Sequence, residues 1–375
     1  MRVLLTATVM SHIAHFHKSL IDMLHGYGCE VHIAARNDLI DKQGLSLDTA
    51  DKIFDIPFRR SPYSFSNIKA YIELKKYIET YNYEIIHCNT PMGAVITRLA
   101  AKSLRKRGTK VLYTAHGFHF YRKAPIKNWL LYYPVEKWLS LYTDALITIN
   151  QEDYRLARKR FYCDVFYVPG VGVDLSRFRP ESFIRQQKRE ELGIRDGTVV
   201  LLSVGELSKN KNHATALKAI SRLTNNNFLY IICGSGELEE HLKRLAMKLK
   251  IDHKVKFLGF RDDIPEVCLA SDVFIFPSFR EGLPVAVMEA MCAGLPIVCS
   301  AIRGNVDLVS DGVGGYLHDP CDVIGFAHSI EKLICDEELR NKMGRTNQRE
   351  VIRYEKQVVT DIMQTIYKKL LDGDA

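Results

Sequence analysis

Short apolar runs alternate with longer stretches in which apolar residues recur every three to four positions, from one end of the chain to the other. The short β-branched runs predict strands, and the 3.6-residue period predicts helices that pack on them. In the first half, strands are predicted at Val3–Thr8, Glu30–Ala35, Ile53–Ile56, Ile85–Cys88, Lys110–Thr114, Ala145–Ile149 and Val165–Val168. Helices are predicted at Lys18–His25, Ile68–Thr80, Gly93–Lys106 and Leu130–Leu141. Strand, helix, strand is the rhythm of parallel βαβ units, because parallel strands need a crossover long enough to hold a helix.

After the polar stretch Arg177–Lys188 the rhythm restarts. Strands are predicted at Val199–Val204, Phe228–Cys233, Val255–Leu258, Val273–Pro277 and Pro296–Ser300, with helices at His213–Leu223, Gly236–Leu249, Pro284–Ala293 and Val323–Asp336. The expectation is an α/β chain of two doubly wound, Rossmann-like domains, 1–178 and 179–352, hinged near 175–185 and facing each other across a substrate cleft. The segment Arg349–Leu371 reads as one long amphipathic helix with no strand after it. It must bury its apolar stripe, and a crossover helix at 353–375 packed on the first domain does so.

Length and composition agree with two cores: 375 residues are 47% hydrophobic and 26% charged. Residues 1–10 resemble a signal peptide only superficially, with one Arg and no clear cleavage site, and read better as a first strand. No window reaches the roughly 18–20 apolar residues of a membrane span. The nine cysteines form no CxxC pair and mostly sit in apolar runs, which suits a reducing, cytoplasmic setting. The net charge of +8 is uneven: residues 1–180 carry 26 Lys/Arg against 16 Asp/Glu, and residues 181–375 carry 26 against 28. A basic half suits an anionic membrane, a phosphorylated acceptor or nucleic acid, or is an ordinary solvated surface.

The chemistry concentrates in Phe279-Arg280-Glu281-Gly282-Leu283-Pro284-Val285-Ala286-Val287-Met288-Glu289. Glu281 and Gly282 follow a strand, where open α/β sheets bind ligands, and Pro284 suits the first turn of a helix. Such a helix start offers free N–H groups and a positive dipole end to phosphate. Glu281 before it, and Glu289 about two turns into it, could accept hydrogen bonds from vicinal hydroxyls of ribose and hexose. Spacing alone would equally fit a helix cap and a solvated glutamate.

With its surroundings, this run resembles the E-x7-E motif of family 4 retaining glycosyltransferases of the GT-B fold. The similarity extends through Ala293-Gly294-Leu295-Pro296, Ser203-Val204-Gly205, Lys211, Gly234-Ser235-Gly236-Glu237, Leu258-Gly259-Phe260-Arg261, Ser271-Asp272 and Gly314-Gly315. The resemblance implies that Glu281 holds donor-sugar hydroxyls and Glu289 the ribose, while the amides of Gly282, Leu283 and Pro284's turn contact sugar and phosphates. It also places Gly205, Gly234 and Gly236 beside the nucleotide and the backbone near Phe260 and Arg261 against the base. Lys211, in a loop after a strand, could neutralise a diphosphate leaving group, although most loop lysines are merely solvated. His116, just past the strand in Val111-Leu112-Tyr113-Thr114-Ala115-His116, matches a family histidine near the transferred sugar and is expected to donate a hydrogen bond there. His119 is a weaker candidate. A lone histidine at a strand end is otherwise more often structural.

The chain departs from the family pattern in three places. Glu206 stands where an Arg is common, Gly170 replaces the Asn of a Pro-Asn-Gly turn, and Thr8-Val9-Met10-Ser11-His12 lacks a glycine-rich first loop. That first loop could still direct N–H groups at the donor phosphate. The only Asp-x-Asp, Asp372-Gly373-Asp374, lies in the last four residues and reads as a solvated tail. No metal and no cofactor are therefore expected, with the nucleotide sugar as co-substrate.

The expected activity is transfer of a hexose or N-acetylhexosamine from a nucleotide sugar, UDP-linked, to a glycan or polyprenyl-diphosphate-linked sugar in cell-surface polysaccharide synthesis, such as capsule or exopolysaccharide. The resemblance implies retention by a front-face path rather than a glycosyl-enzyme. Basic and aromatic residues mix at 118–133, with Arg59-Arg60 and Lys75-Lys76 elsewhere. Together they could form a peripheral face on an anionic membrane at the inner surface of the cell. A sugar-nucleotide epimerase or a phosphorylase on the same fold is the alternative. Nucleic-acid binding has no supporting motif, and the first strand–helix turn lacks the G-x-G-x-x-G of dinucleotide enzymes.

Overall fold

A computed structural model describes residues 1–41, 45–178 and 182–372. The chain forms two compact units: residues 1–171 with 356–375, and residues 172–355. The first unit holds β1 Arg2–Val9, β2 Glu30–Arg36, β3 Lys52–Asp55, β4 Ile85–Asn89, β5 Lys110–Ala115, β6 Ala145–Thr148 and β7 Asp164–Tyr167. They form one sheet in the order β3-β2-β1-β4-β5-β6-β7. The second unit holds β8 Val199–Val204, β9 Phe228–Cys233, β10 Val255–Gly259, β11 Val273–Phe276, β12 Ile297–Ser300 and β13 Gly315–His318, in the order β10-β9-β8-β11-β12-β13. Every strand pairing in both sheets is parallel.

Parallel strands covered by helices on both faces are apolar along their whole length. The inner strands obey this: β4 is buried throughout and β8 nearly so. In β1 alternate residues serve opposite cores. Val3, Leu5 and Ala7 meet helices Lys18–Gly26 and Lys356–Asp372, whereas Leu4 packs toward helices Ser66–Tyr81 and Pro91–Arg105.

Three expectations about elements change. Residues 349–371 are not one helix: Glu337–Glu350 ends in a tight turn at Val351–Tyr354, and a new helix runs Lys356–Asp372. The break is held by extended Glu355 bridging Val173, by the Val173 N–H on the Tyr354 carbonyl at 2.8 Å, and by Tyr354 donating to the Asp307 carbonyl at 2.7 Å. The polar stretch read as a linker contains helix Ser182–Glu191. It docks through charge rather than apolar area, with Arg185 on Asp272 at 2.6 Å and Lys188 on Asp263 at 2.7 Å. The units also divide at Gly172 and Lys356 rather than at 178 and 353, and residues 373–374 of the Asp-x-Asp lie outside the described residues.

Helix Lys356–Asp372 completes the first unit. Val359, Met363, Ile366, Tyr367 and Leu370 enter its core, and the Tyr367 hydroxyl lies 2.7 Å from Nδ1 of buried His87.

Candidate functional site

In an open parallel sheet, ligands sit beyond the carboxyl ends of the strands, where the strand order reverses. In the second unit the reversal falls between β8 and β11, and the two residues that follow those strands meet there. The Lys211 ammonium is 2.8 Å from a Glu281 carboxylate oxygen, with side chains 21% and 12% exposed. The two loops are stitched together on either side of this pair. Phe279 donates its N–H to the Asn210 carbonyl at 2.8 Å, and the Asn210 amide donates to the Arg280 carbonyl at 2.9 Å. Asn212, in the left-handed region at φ 55°, anchors the same loop on the Pro277 and Pro320 carbonyls.

Backbone proximity builds the rest. Gly205 donates to the Cys233 carbonyl at 2.9 Å, Gly234 to Gly259 at 2.7 Å and Leu207 to Ser235 at 3.0 Å. A Cβ on Gly234, whose φ is +143°, would stand 2.0 Å from the Gly205 oxygen, and one on Gly236 would stand 2.6 Å from the Leu207 oxygen. Those glycines let three strand-end loops close into one floor. The Lys211 stem lies along Gly205, and its ammonium stands 4.7 Å over the Phe276 ring.

The helix after Glu281 starts one residue later than predicted. Pro284 is its extended cap at ψ 120°, and the helix runs Val285–Cys292. The free N–H groups of the first turn are therefore those of Val285 to Val287, while Gly282 and Leu283 belong to the loop. Glu289 lies four residues into the helix, one turn rather than two, and is half-buried. Phe260, just after β10, is 79% exposed, whereas the Arg261 guanidinium is engaged by Asp263 and Glu191. Arg303, which the sequence reading did not single out, is buried and donates to the Glu281 carbonyl at 3.2 Å.

Burial, with repulsion from Lys211 second, lowers the pKa of His213 to about 4. It is thus neutral in the fold and protonates near pH 6.5 when unfolded, so its contribution is complete above 6.5 and lost toward pH 4. We expect the stability lost between pH 7 and pH 5 in urea titrations to be smaller by roughly 2 kcal/mol in H213Q than in the unsubstituted protein. Equal losses would show that His213 titrates normally.

In the first unit the order reverses between β1 and β4, and a histidine cluster occupies that end. His116 follows β5, and its Nε2 lies 3.3 Å from His12 Nε2 and 3.4 Å from Asn89 Oδ1 at the end of β4. His17 adjoins them with its ring centroid 5.9 Å from that of His116, and His87 lies 6.3 Å from His17. Burial lowers His116 to about 4, and burial with mutual repulsion holds His12 and His17 well below the ordinary value. All are neutral near pH 7. The first loop is shorter than expected, because helix Met10–Phe16 follows β1 directly. Two of its N–H groups are already used: Thr8 donates to Thr90 Oγ1 and Ser11 to Asp38, both at 2.9 Å. They do not point free donors at a phosphate. His119 stacks near Tyr132 at 4.7 Å, apart from this cluster.

No cysteine offers a nucleophile at either place. Burial pushes Cys88, Cys163, Cys233 and Cys292 up to about 12.

Comparison with known proteins decides the family. Residues 184–350 match the model of glycosyl transferases group 1, and residues 2–150 match that of glycosyl transferase 4-like proteins. EpsD of Bacillus subtilis, itself named only provisionally as a glycosyltransferase, is 41% identical over 378 residues, spanning 100% of this chain and 98% of that protein. The chain belongs to the family 4 glycosyltransferases of the GT-B fold. A UDP-Gal:alpha-D-GlcNAc-diphosphoundecaprenol alpha-1,3-galactosyltransferase of Escherichia coli is 30% identical over 319 residues, covering 82% of the transferase and 80% of the relative. Among solved structures, HepE of Anabaena in complex with UDP and glucose superposes with a TM-score of 0.80 at 20% identity, over 100% of both chains. Among the described residues no helix of the transferase is long and apolar enough to cross a membrane.

Proposed function

We propose that this glycosyltransferase moves a hexose or N-acetylhexosamine from a UDP-sugar to a polyprenyl-diphosphate-linked saccharide, with retention of configuration, during cell-surface polysaccharide assembly. The observation that carries the proposal is the Lys211–Glu281 pair at the carboxyl ends of β8 and β11, set in a floor of close-packed glycine loops. A diphosphate can take Lys211 from the carboxylate, which frees Glu281 to accept hydrogen bonds from sugar hydroxyls. Glu289, one turn into the next helix, suits the ribose, and the amides after Pro284 suit phosphate. The chemistry asks for charge neutralisation at the leaving group, which Lys211 supplies without a metal. His116, neutral and half-buried, is the group we propose to donate a hydrogen bond to the transferred sugar. The relative from Escherichia coli supports a lipid-diphosphate acceptor, and HepE supports UDP. No observation favours an epimerase or a phosphorylase.

The test is thermal stability across a panel of nucleotide sugars. A UDP-sugar at about 100 times its Kd adds about 2.7 kcal/mol to the folded state, enough to raise Tm by several degrees. If no nucleotide sugar raises Tm, the proposed donor site is wrong.

The acceptor class suits the surface of the first unit. On helix Ile126–Leu139, Ile126, Leu130 and Leu131 are 77%, 72% and 57% exposed, beside Lys123 and Lys127. Helix Ser66–Tyr81 and the loop before it add exposed Phe65, Ile68 and Ile72 beside Arg59 and Arg60. The two tryptophans divide: Trp138 is exposed, whereas Trp129 packs on Phe120 and donates to the Tyr121 carbonyl at 3.1 Å. This array of apolar tips and cations suits the cytoplasmic face of an anionic membrane. We expect the transferase to sediment with phosphatidylglycerol vesicles at low salt, and L130E/L131E to weaken that binding at least tenfold. Indifference to anionic vesicles would remove the membrane from the proposal.

A further inference from the structure

The histidine cluster holds more ring nitrogens than hydrogen bonding can satisfy. His87 is fully engaged, with Nδ1 on the Tyr367 hydroxyl and Nε2 on Thr114 Oγ1, both at 2.7 Å. The other three are not. Nε2 of His12 and Nε2 of His116 face each other at 3.3 Å, although one shared proton is all that such a contact can use. Nε2 of His17 is buried and has no hydrogen-bond partner, and neither has Nδ2 of Asn89 nearby. Buried polar atoms left in this way are rare and ask for an explanation, an ion being one.

Spacing supports an ion. One ring nitrogen from each of His12, His17 and His116 can be chosen so that all three lie within 4.8 Å of one another. Two imidazoles bound tetrahedrally at about 2.0–2.1 Å would have nitrogens about 3.3–3.4 Å apart. The His12–His116 pair already stands at that distance, and the His17 nitrogen, within 4.8 Å of the other two, has to close in by at most about 1.4 Å. The three come from different elements, His12 from helix Met10–Phe16, His17 from the joint with helix Lys18–Gly26 and His116 from the end of β5. Their backbone positions are set by the sheet.

We propose that His12, His17 and His116 form a binding site for a borderline-soft divalent cation, Zn2+ above all. Imidazole alone, without a carboxylate among the three, suits Zn2+, Co2+, Ni2+ and Cu2+ and disfavours Mg2+, Ca2+ and Mn2+. Three protein ligands leave the fourth position to water. An ion here uses the same His116 nitrogen that would serve the reacting sugar, so Zn2+ is a reversible inhibitor of transfer; this consequence rests on the proposed role of His116, whereas the binding site does not.

Cobalt separates the two. Full-length transferase, stripped by chelator dialysis and titrated with Co2+, should develop the visible bands of a tetrahedral cobalt–imidazole site at one ion per chain. Zn2+ should erase those bands, and Mg2+ should leave them. H12N and H17N should each weaken Co2+ binding by roughly 100-fold, with far-UV circular dichroism confirming that at least one variant folds. A thiolate-to-cobalt charge-transfer band would assign the metal to cysteine and overturn the proposal, as would an absence of visible bands or unchanged binding in the folded variants. In transfer assays, micromolar Zn2+ should inhibit, chelator should restore activity, and H17N should resist inhibition. Inhibition lacking despite a cobalt signature overturns the role of His116 alone. A failure to find any donor bears on the proposed transfer and leaves the cobalt result standing.

Discussion

Replacing Lys211 by methionine should lower kcat/KM for sugar transfer by roughly 10^2–10^3, equivalent to about 3–4 kcal/mol of transition-state stabilisation. Methionine keeps most of the apolar stem that runs along Gly205 and over Phe276, so the change removes the charge while leaving the packing nearly as it was. The loss should appear in kcat more than in KM, because charge on the departing diphosphate grows along the reaction. Removal of Lys211 also leaves the largely buried Glu281 carboxylate without its 2.8 Å partner, so a modest fall in Tm accompanies the kinetic effect. Steady-state kinetics with a saturating acceptor and a parallel melt separate the two. A K211M enzyme within tenfold of the unsubstituted rate would mean that the pair is a structural tie and that another group neutralises the diphosphate.

The second large effect concerns backbone. G234A forces a side chain into φ +143° and sets its Cβ 2.0 Å from the oxygen of Gly205, a residue whose N–H is tied to the Cys233 carbonyl. Strain and overpacking together should cost about 3 kcal/mol, read as a fall in the urea midpoint, and KM for the UDP-sugar should rise more than tenfold as the β8 and β9 loops separate. G197A is the control. Its φ is +74°, but nothing stands within 4 Å of the added methyl, so it should cost only about 1 kcal/mol and leave KM alone. Equal effects of the two substitutions would show that conformation, not the close approach of the loops, governs position 234.

How much of this was legible depended on which force held each element. Strands buried on both faces announce themselves as apolar runs, so β1, β4, β8 and β9 were found to within a residue or two. Elements held by charge left no such trace. Helix Ser182–Glu191 docks through Arg185, Lys188 and Arg189 on Asp263 and Asp272, and helix Gln151–Arg160 buries only Asp153 and Ala157 behind an Asn150 cap. The first reads as part of a polar stretch, and the second is assigned no element. β13 was missed because its residues, Gly-Tyr-Leu-His, include no β-branched one, and its Gly315 lies against the Ile297 backbone, where a Cβ would be 1.8 Å from the carbonyl.

The residues proposed for the donor stand out in the sequence because Glu281, Glu289 and Lys211 belong to motifs close to strand ends. Their mutual geometry was not, since the ion pair joins positions 70 residues apart. The histidines were harder still. His12 and His17 lie in a segment read as an irregular loop and a helix start, and only the parallel pairing of β1 with β4 and β4 with β5 brings them to His116, 104 residues from His12.

Helix Lys356–Asp372 supplies five residues to the core of the first unit and the partner of buried His87, yet 184 residues, Gly172–Glu355, separate it from the rest of that unit. During synthesis at about 5–20 residues per second, roughly 10–40 s pass between the emergence of Val171 and that of this helix. Throughout that interval the apolar face of β1–β7 around Val3, Leu5 and Ile33 is covered by helix Lys18–Gly26 without its second helix, and by its end the second unit has every residue it needs. The order of maturation is thus the reverse of the order of translation: the half made first is the last to close.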